Sequence, residues 1–181
     1  MSLSATDATD ASMAQCSCLS PGWDEMATYC VEADLPYSPQ QVFDLVADIE
    51  SYPKFLRHVA AARIRRRNGN ALWVDQIVRF AMMRLKFSTH AVLDPPRRIH
   101  VVCNDSLFGT FDETWTFASR SSGGTRLQCH ATYAFRSGLL QAALNAALSD
   151  ILGTTVTAFE SRAKQLYDAP AEPAATSRSA V

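Results

Sequence analysis

A change of period at Ser137-Gly138 constrains this chain more than any other feature. Before it, apolar and polar residues alternate over short runs separated by turn signals. After it, apolar residues recur every three to four positions as far as Tyr167. That last stretch predicts one helix about 45 Å long at 1.5 Å of rise per residue. Leu140, Leu144, Ala147, Leu148, Ile151, Leu152, Thr155, Phe159, Ala163 and Leu166 give it a broad apolar side, with Asp150, Thr154, Thr157, Glu160, Ser161 and Lys164 opposite. Such a helix has to bury its apolar side, and the preceding strands supply the surface that can cover it.

The strands can be read one by one. Thr28 to Leu35 alternates Tyr29, Val31, Ala33 and Leu35 against Cys30, Glu32 and Asp34. Ser38-Pro39 then starts a short helix, with Ser38 as N-cap, Pro39 at the first helical position and Gln41 completing a capping box. Val42, Phe43, Leu45, Val46 and Ile49 form its buried side, Tyr52-Pro53 breaks it, and Lys54-Phe55-Leu56 predicts a second short helix or turn. From His58 onward, turn signals at Asn68-Gly69, Asp94-Pro95-Pro96, Asp105 to Gly109 and Ser121 to Gly124 delimit six more strands. Alternation in the last of them, with Leu127, Cys129, Ala131, Tyr133 and Phe135 facing one way, predicts an antiparallel meander with one wet face. The class is therefore α+β: a curved antiparallel sheet of about seven strands around a long C-terminal helix, with two short helices after strand 1. This helix-grip arrangement encloses a space, and a cavity is its natural site.

Net charge is −1, but the sum hides a split. Residues 1–27 hold no Lys or Arg and four acids, whereas Thr28 to Tyr167 holds sixteen basic and twelve acidic residues. A mildly basic domain over 28–167 is expected, flanked by an acidic disordered tail at 1–27 and a second disordered tail at 168–181. The five scattered cysteines suit a reducing compartment. Without an 18-residue apolar run or a signal-peptide pattern, the expected location is cytoplasmic, with at most peripheral contact at the inner face of the membrane.

The run Leu35-Pro-Tyr-Ser-Pro-Gln-Gln-Val-Phe-Asp-Leu-Val-Ala-Asp-Ile-Glu-Ser-Tyr-Pro-Lys-Phe-Leu56 resembles the opening of the coenzyme Q-binding protein family, within the START-like, polyketide cyclase superfamily. Asp94-Pro-Pro-Arg-Arg-Ile99, the Phe108 to Phe117 stretch with Trp115, and Phe135-Arg-Ser-Gly-Leu-Leu140 extend the resemblance. It departs from the family where Arg57-His58-Val59 replaces a Pro-Trp-Cys-like segment. The resemblance implies a START-like helix-grip fold that carries ubiquinone or a related isoprenoid lipid for respiration or quinone biosynthesis, as bound ligand and without transforming it. It also implies two alternatives: a toxin-like protein that binds the large ribosomal subunit, and a polyketide aromatase/cyclase.

Catalytic signatures are missing: there is no Gly-rich phosphate loop, nucleophile elbow, His-Glu-x-x-His or Cys-x-x-Cys, and no metal ligand set. No enzyme activity and no cofactor are expected. His90, His100 and His130 take outward parity, and His58 falls at a strand start, so all four read as surface histidines. Gln76 and Glu113 instead interrupt the inward rows Leu72, Val74, Val78, Phe80 and Phe111, Trp115, Phe117. Glu113 is either turned out by a bulge, held by a structural hydrogen bond, or a polar point for a quinone oxygen. Candidate lining residues for the lipid are Phe43, Tyr52, Phe55, Leu56, Trp73, Gln76, Phe87, Phe108, Phe111, Glu113, Trp115, Phe135, Leu140, Leu144 and Leu148, any of which could equally be core. At the surface, Met82 and Met83 form a strand connection that is either core or gate. Arg63, Arg65, Arg66 and Arg67 read first as a solvated strand end, then as a transient anionic-membrane contact, then as a ribosomal RNA contact, because no aromatic platform is evident among them. DNA is not an expected partner.

Overall fold

A computed structural model describes residues 27–80 and 82–168, leaving aside the side chains of Phe80, Leu148, Ser149, Asp150 and Leu152. The expected tails at 1–27 and 168–181, with Cys16 and Cys18, lie almost entirely outside the described residues. The elements are β1 (Ala27–Leu35), α1 (Pro39–Ala47), a 3₁₀ turn (Ile49–Lys54), β2 (Val59–Asn68), β3 (Ala71–Phe80), β4 (Met83–Asp94), β5 (Arg98–Val102), β6 (Phe108–Ser119), β7 (Thr125–Phe135) and α2 (Gly138–Tyr167).

The seven strands form one antiparallel sheet in the order β1-β7-β6-β5-β4-β3-β2. Every neighbour after β2 is a meander step, and β1 joins last, beside β7. The α1 segment and the 3₁₀ turn must therefore cross the sheet to deliver the chain to its far edge, where the turn packs on β2. Helix α2 returns along the same face and packs on α1, β1 and β7. Both helices sit on one side and the other side of the sheet faces water.

Local chemistry explains where the pieces start. Ser38 Oγ accepts from the Gln41 N–H at 3.3 Å while Gln41 Oε1 accepts from the Ser38 N–H at 3.0 Å, so the capping box closes as expected. Ser137 caps α2 with its side chain alone, its Oγ accepting from the Leu140 N–H. Beside that cap, Gln141 is almost fully buried, because its Oε1 accepts from the Phe135 N–H at 2.7 Å and its Nε2 donates to Asn145 at 3.0 Å. The second short helix lies at Ile49–Lys54, earlier than expected, with Pro53 inside it. A 3₁₀ turn needs fewer backbone donors than an α-helix, so a proline near its end is tolerated.

Apolar packing divides into two clusters. One joins β1, α1, β6 and the C-terminal half of α2 through Leu35, Phe43, Phe117, Phe159 and Ala163. The other joins β4, β6, β7 and the N-terminal half of α2 through Phe87, Phe108, Phe135 and Leu144. Side chains from both clusters face the space between them.

Candidate ligand cavity

That space is a cavity of about 220 Å³. Of the expected lining residues, Tyr52, Leu56, Gln76, Phe87, Phe108, Phe111, Glu113, Trp115, Phe135 and Leu144 stand in its wall. Phe43 does not: it packs edge-on against Phe117, ring centres 5.3 Å apart, within the core. Phe55 packs on Tyr52 and Phe159 and faces a shallow outer groove instead. Leu140 joins the second cluster without reaching the cavity, and the Leu148 side chain is outside the described residues.

Glu113 faces inward, so the bulge expectation fails. Trp115 Nε1–H donates to its Oε1, Tyr133 Oη–H donates to Oε2 at 2.9 Å, and the Cys129 thiol lies 3.8 Å from Oε1. Register explains the grouping. Glu113 pairs directly with Ala131, so Cys129 and Tyr133 flank it one pleat away on the same face, as Trp115 does on its own strand. Burial pushes the Glu113 carboxyl above the ordinary carboxylate range, and these donors only partly offset that. Burial beside the same carboxyl pushes the Tyr133 and Tyr52 hydroxyls and the Cys129 thiol well above their usual values. A carboxyl kept protonated can donate a hydrogen bond to a ligand oxygen.

The remaining polar points are few. Gln76 Nε2 donates to Thr89 Oγ1 at 3.0 Å, and Thr155 donates to the Ile151 carbonyl at 2.6 Å. His58 corrects its surface expectation: it lines both the cavity and the outer groove, and burial pushes its imidazole pKa down. Sequence reasoning also missed Tyr133, Thr89 and Phe159, although Tyr133 lies in the inward row of β7 and becomes legible once β6 and β7 are paired. Among the described residues, no group of His, Cys, Asp and Glu could hold a metal ion, and no helix is long and apolar enough to cross a membrane.

Trp73 is the clearest correction. Leu72 and Val74 point inward, so alternation turns Trp73 to the outer face, where it lies beside His90 at 4.7 Å between ring centres and beneath the Arg66 guanidinium at 4.9 Å. A bulge between Ile64 and Arg66 explains the company it keeps: Arg63 pairs with Asp75 and Arg66 with Trp73, placing both on the outer face although they stand an odd three positions apart. Arg65 reaches Asp75 from the same side, at 3.4 Å. An aromatic platform therefore does stand among the arginines. Met82, at the β3–β4 tip, is fully exposed, which excludes its core reading, and Met83 beside it is exposed as well.

The profile of the polyketide cyclase/dehydrase and lipid transport family matches residues 35–160. Among known proteins, the ribosome association toxin RatA of Pseudomonas aeruginosa is 28% identical over 133 residues, spanning 74% of this chain and 92% of the toxin. The mitochondrial coenzyme Q-binding protein COQ10 of Drosophila melanogaster is 28% identical over 82 residues, 45% of this chain and 34% of that protein. Among solved structures, the 18 kDa protein CC1736 of Caulobacter crescentus superposes with a TM-score of 0.67 at 32% identity, covering 79% of this chain and 99% of that one.

Proposed function

The chain belongs to the polyketide cyclase/dehydrase and lipid transport family, and on that premise we propose that it is a ribosome-associating protein whose cavity holds a hydrophobic ligand. The cavity supports the ligand half: most of its wall is aliphatic or aromatic, and burial of apolar area is worth about 25 cal/mol per Å², so an apolar ligand needs no charged contact to be retained. For the ribosomal half, the observation that carries the reading is the extent of likeness to RatA, which runs over 92% of that toxin. Sequence alone ranks the ribosome behind quinone and membrane; the short reach of the COQ10 match, 34% of that protein, favours the reverse order.

Sedimentation of the purified protein with ribosomes through a sucrose gradient tests the ribosomal half. Comigration with large subunits is the expected result, and protein left at the top of the gradient would defeat it. Organic extraction followed by mass spectrometry tests the ligand half.

A second reading, quinone carriage, is favoured by one feature: the buried Glu113 carboxyl and its Tyr133 and Trp115 donors inside an otherwise apolar wall. A quinone carbonyl is an acceptor that a protonated carboxyl could meet. Recovery of ubiquinone in the extract, lost on Glu113→Gln together with Gln76→Leu, is what that reading requires.

A further inference from the structure

We infer that the outer face of β2, β3 and β4 binds single-stranded RNA, with Trp73 and Arg66 stacking an unpaired base and the surrounding cations holding its phosphates. This rests on the ribosomal reading above and names the chemistry of the contact.

Three observations carry it. Between the Trp73 row and the β3–β4 tip, this face presents six exposed cations, Arg63, Arg65, Arg66, Arg79, Arg84 and Lys86, against one carboxylate, Asp75. Asp75 is already engaged, accepting from Ser88 at 2.6 Å and from Arg65. The cations are spread along the six residue steps from Trp73 to Arg79, about 20 Å at 3.3 Å per step, a length suited to a chain of phosphates. At one end stands the Arg66, Trp73 and His90 stack, and aromatic faces and guanidinium planes are the surfaces on which unpaired bases pack.

Protection of the free sheet edge accounts for arginines on β2. It does not account for Arg79, Arg84 and Lys86 on interior strands, nor for a tryptophan left on the wet side. The other half of the same face is different in kind: Asp34 neutralises Arg120 and Arg126, and Glu32 accepts from Gln128. The cations run from the stack to the tip, where Arg79 pairs with Arg84 beside Met82; RNA is favoured over an anionic membrane because the Arg66 and Trp73 stack offers a base-sized planar face that a lipid headgroup does not use.

Fluorescence anisotropy with a labelled single-stranded RNA 12-mer of mixed sequence, over a salt series, tests this on the full chain. Affinity should fall with salt, and R63A/R65A/R66A should take about 1.4 from the magnitude of the log–log slope, for the two phosphate contacts of Arg63 and Arg65 at 0.7 each. Trp73→Ala should weaken binding at least about fivefold, the loss of one stacked base, while Trp73→Phe keeps most of it. Melting curves of each variant establish that it folds. An unchanged slope in the triple arginine variant, equal affinity for duplex RNA, or binding to phosphatidylserine vesicles without RNA binding would overturn the inference. RNA binding of the expected kind without ribosome comigration would sink the proposed function and leave this face standing. Comigration undiminished in R63A/R65A/R66A would do the opposite.

Discussion

Glu113 shows how one residue's environment sets its chemistry. Its neighbours donate three contacts to the carboxyl, which favours the ionised form, yet burial outweighs them and the pKa is raised. Folding therefore favours the protonated acid. Stability from this group is fully present below the ordinary carboxylate range and is lost as pH rises through the raised value. Glu113→Gln removes that dependence: melting temperatures of the two proteins should be close near pH 4 and diverge in favour of the variant by about pH 8. A difference that stays constant across the series would sink this account. Tyr133→Phe should do the reverse, since it leaves the buried carboxyl short of a donor at a cost of about 1–3 kcal/mol near neutral pH, read as a lower urea midpoint. Parity on β6 pointed Glu113 inward, with an outward-turning bulge left open until the structure excluded it. Its hydrogen-bond partners depend on the β6–β7 register and were not legible. Trp73 teaches the converse: its size suggested the cavity, while the alternation of Leu72, Val74 and Gln76 around it already pointed outward.

Elements were legible where a period or a cap repeats a physical rule, and less so where the chain departs from one. The strand alternations, the Ser38 box and the Ser137 start of α2 each follow from residues close in sequence. The bulge in β2 and the approach of His58 to the cavity depend on a partner strand and a crossing helix, so no local pattern announces them. Turns permit a sharper test. Gly69 and Gly124 both have positive φ, 55° and 80°, but their surroundings differ. A methyl at Gly69 would meet open space, whereas one at Gly124 would run into the Leu35 carbonyl, where the β6–β7 turn closes on the end of β1. Gly69→Ala should therefore cost about 1 kcal/mol, the left-handed backbone alone. Gly124→Ala should cost a further ~2 kcal/mol or more, because the backbone it meets cannot move without opening the β1–β7 pairing. Urea denaturation of both variants checks the order, and equal losses would mean that the turn relaxes freely.

At the scale of the whole molecule, the sheet is a wall with different chemistry on its two sides. Gln76, Val78, Phe87 and Ala91 face the cavity from the same strands that carry Trp73, Lys86 and His90 on the other face. Substitutions on opposite faces that share no partner should add independently, because sites more than about 7–10 Å apart and without common contacts usually do so within 0.5 kcal/mol. Ala91 is the place to test this, being almost fully buried and yet part of the cavity wall. Ala91→Phe puts a ring where a ligand would lie, and the empty volume limits the overpacking cost to about 1–3 kcal/mol. The variant should lose extractable lipid and keep its place beside large ribosomal subunits, while R63A/R65A/R66A keeps the lipid and leaves the subunits. If Ala91→Phe also abolishes comigration with its melting temperature intact, the two faces are coupled, and ligand occupancy then acts as a switch on the partner contact.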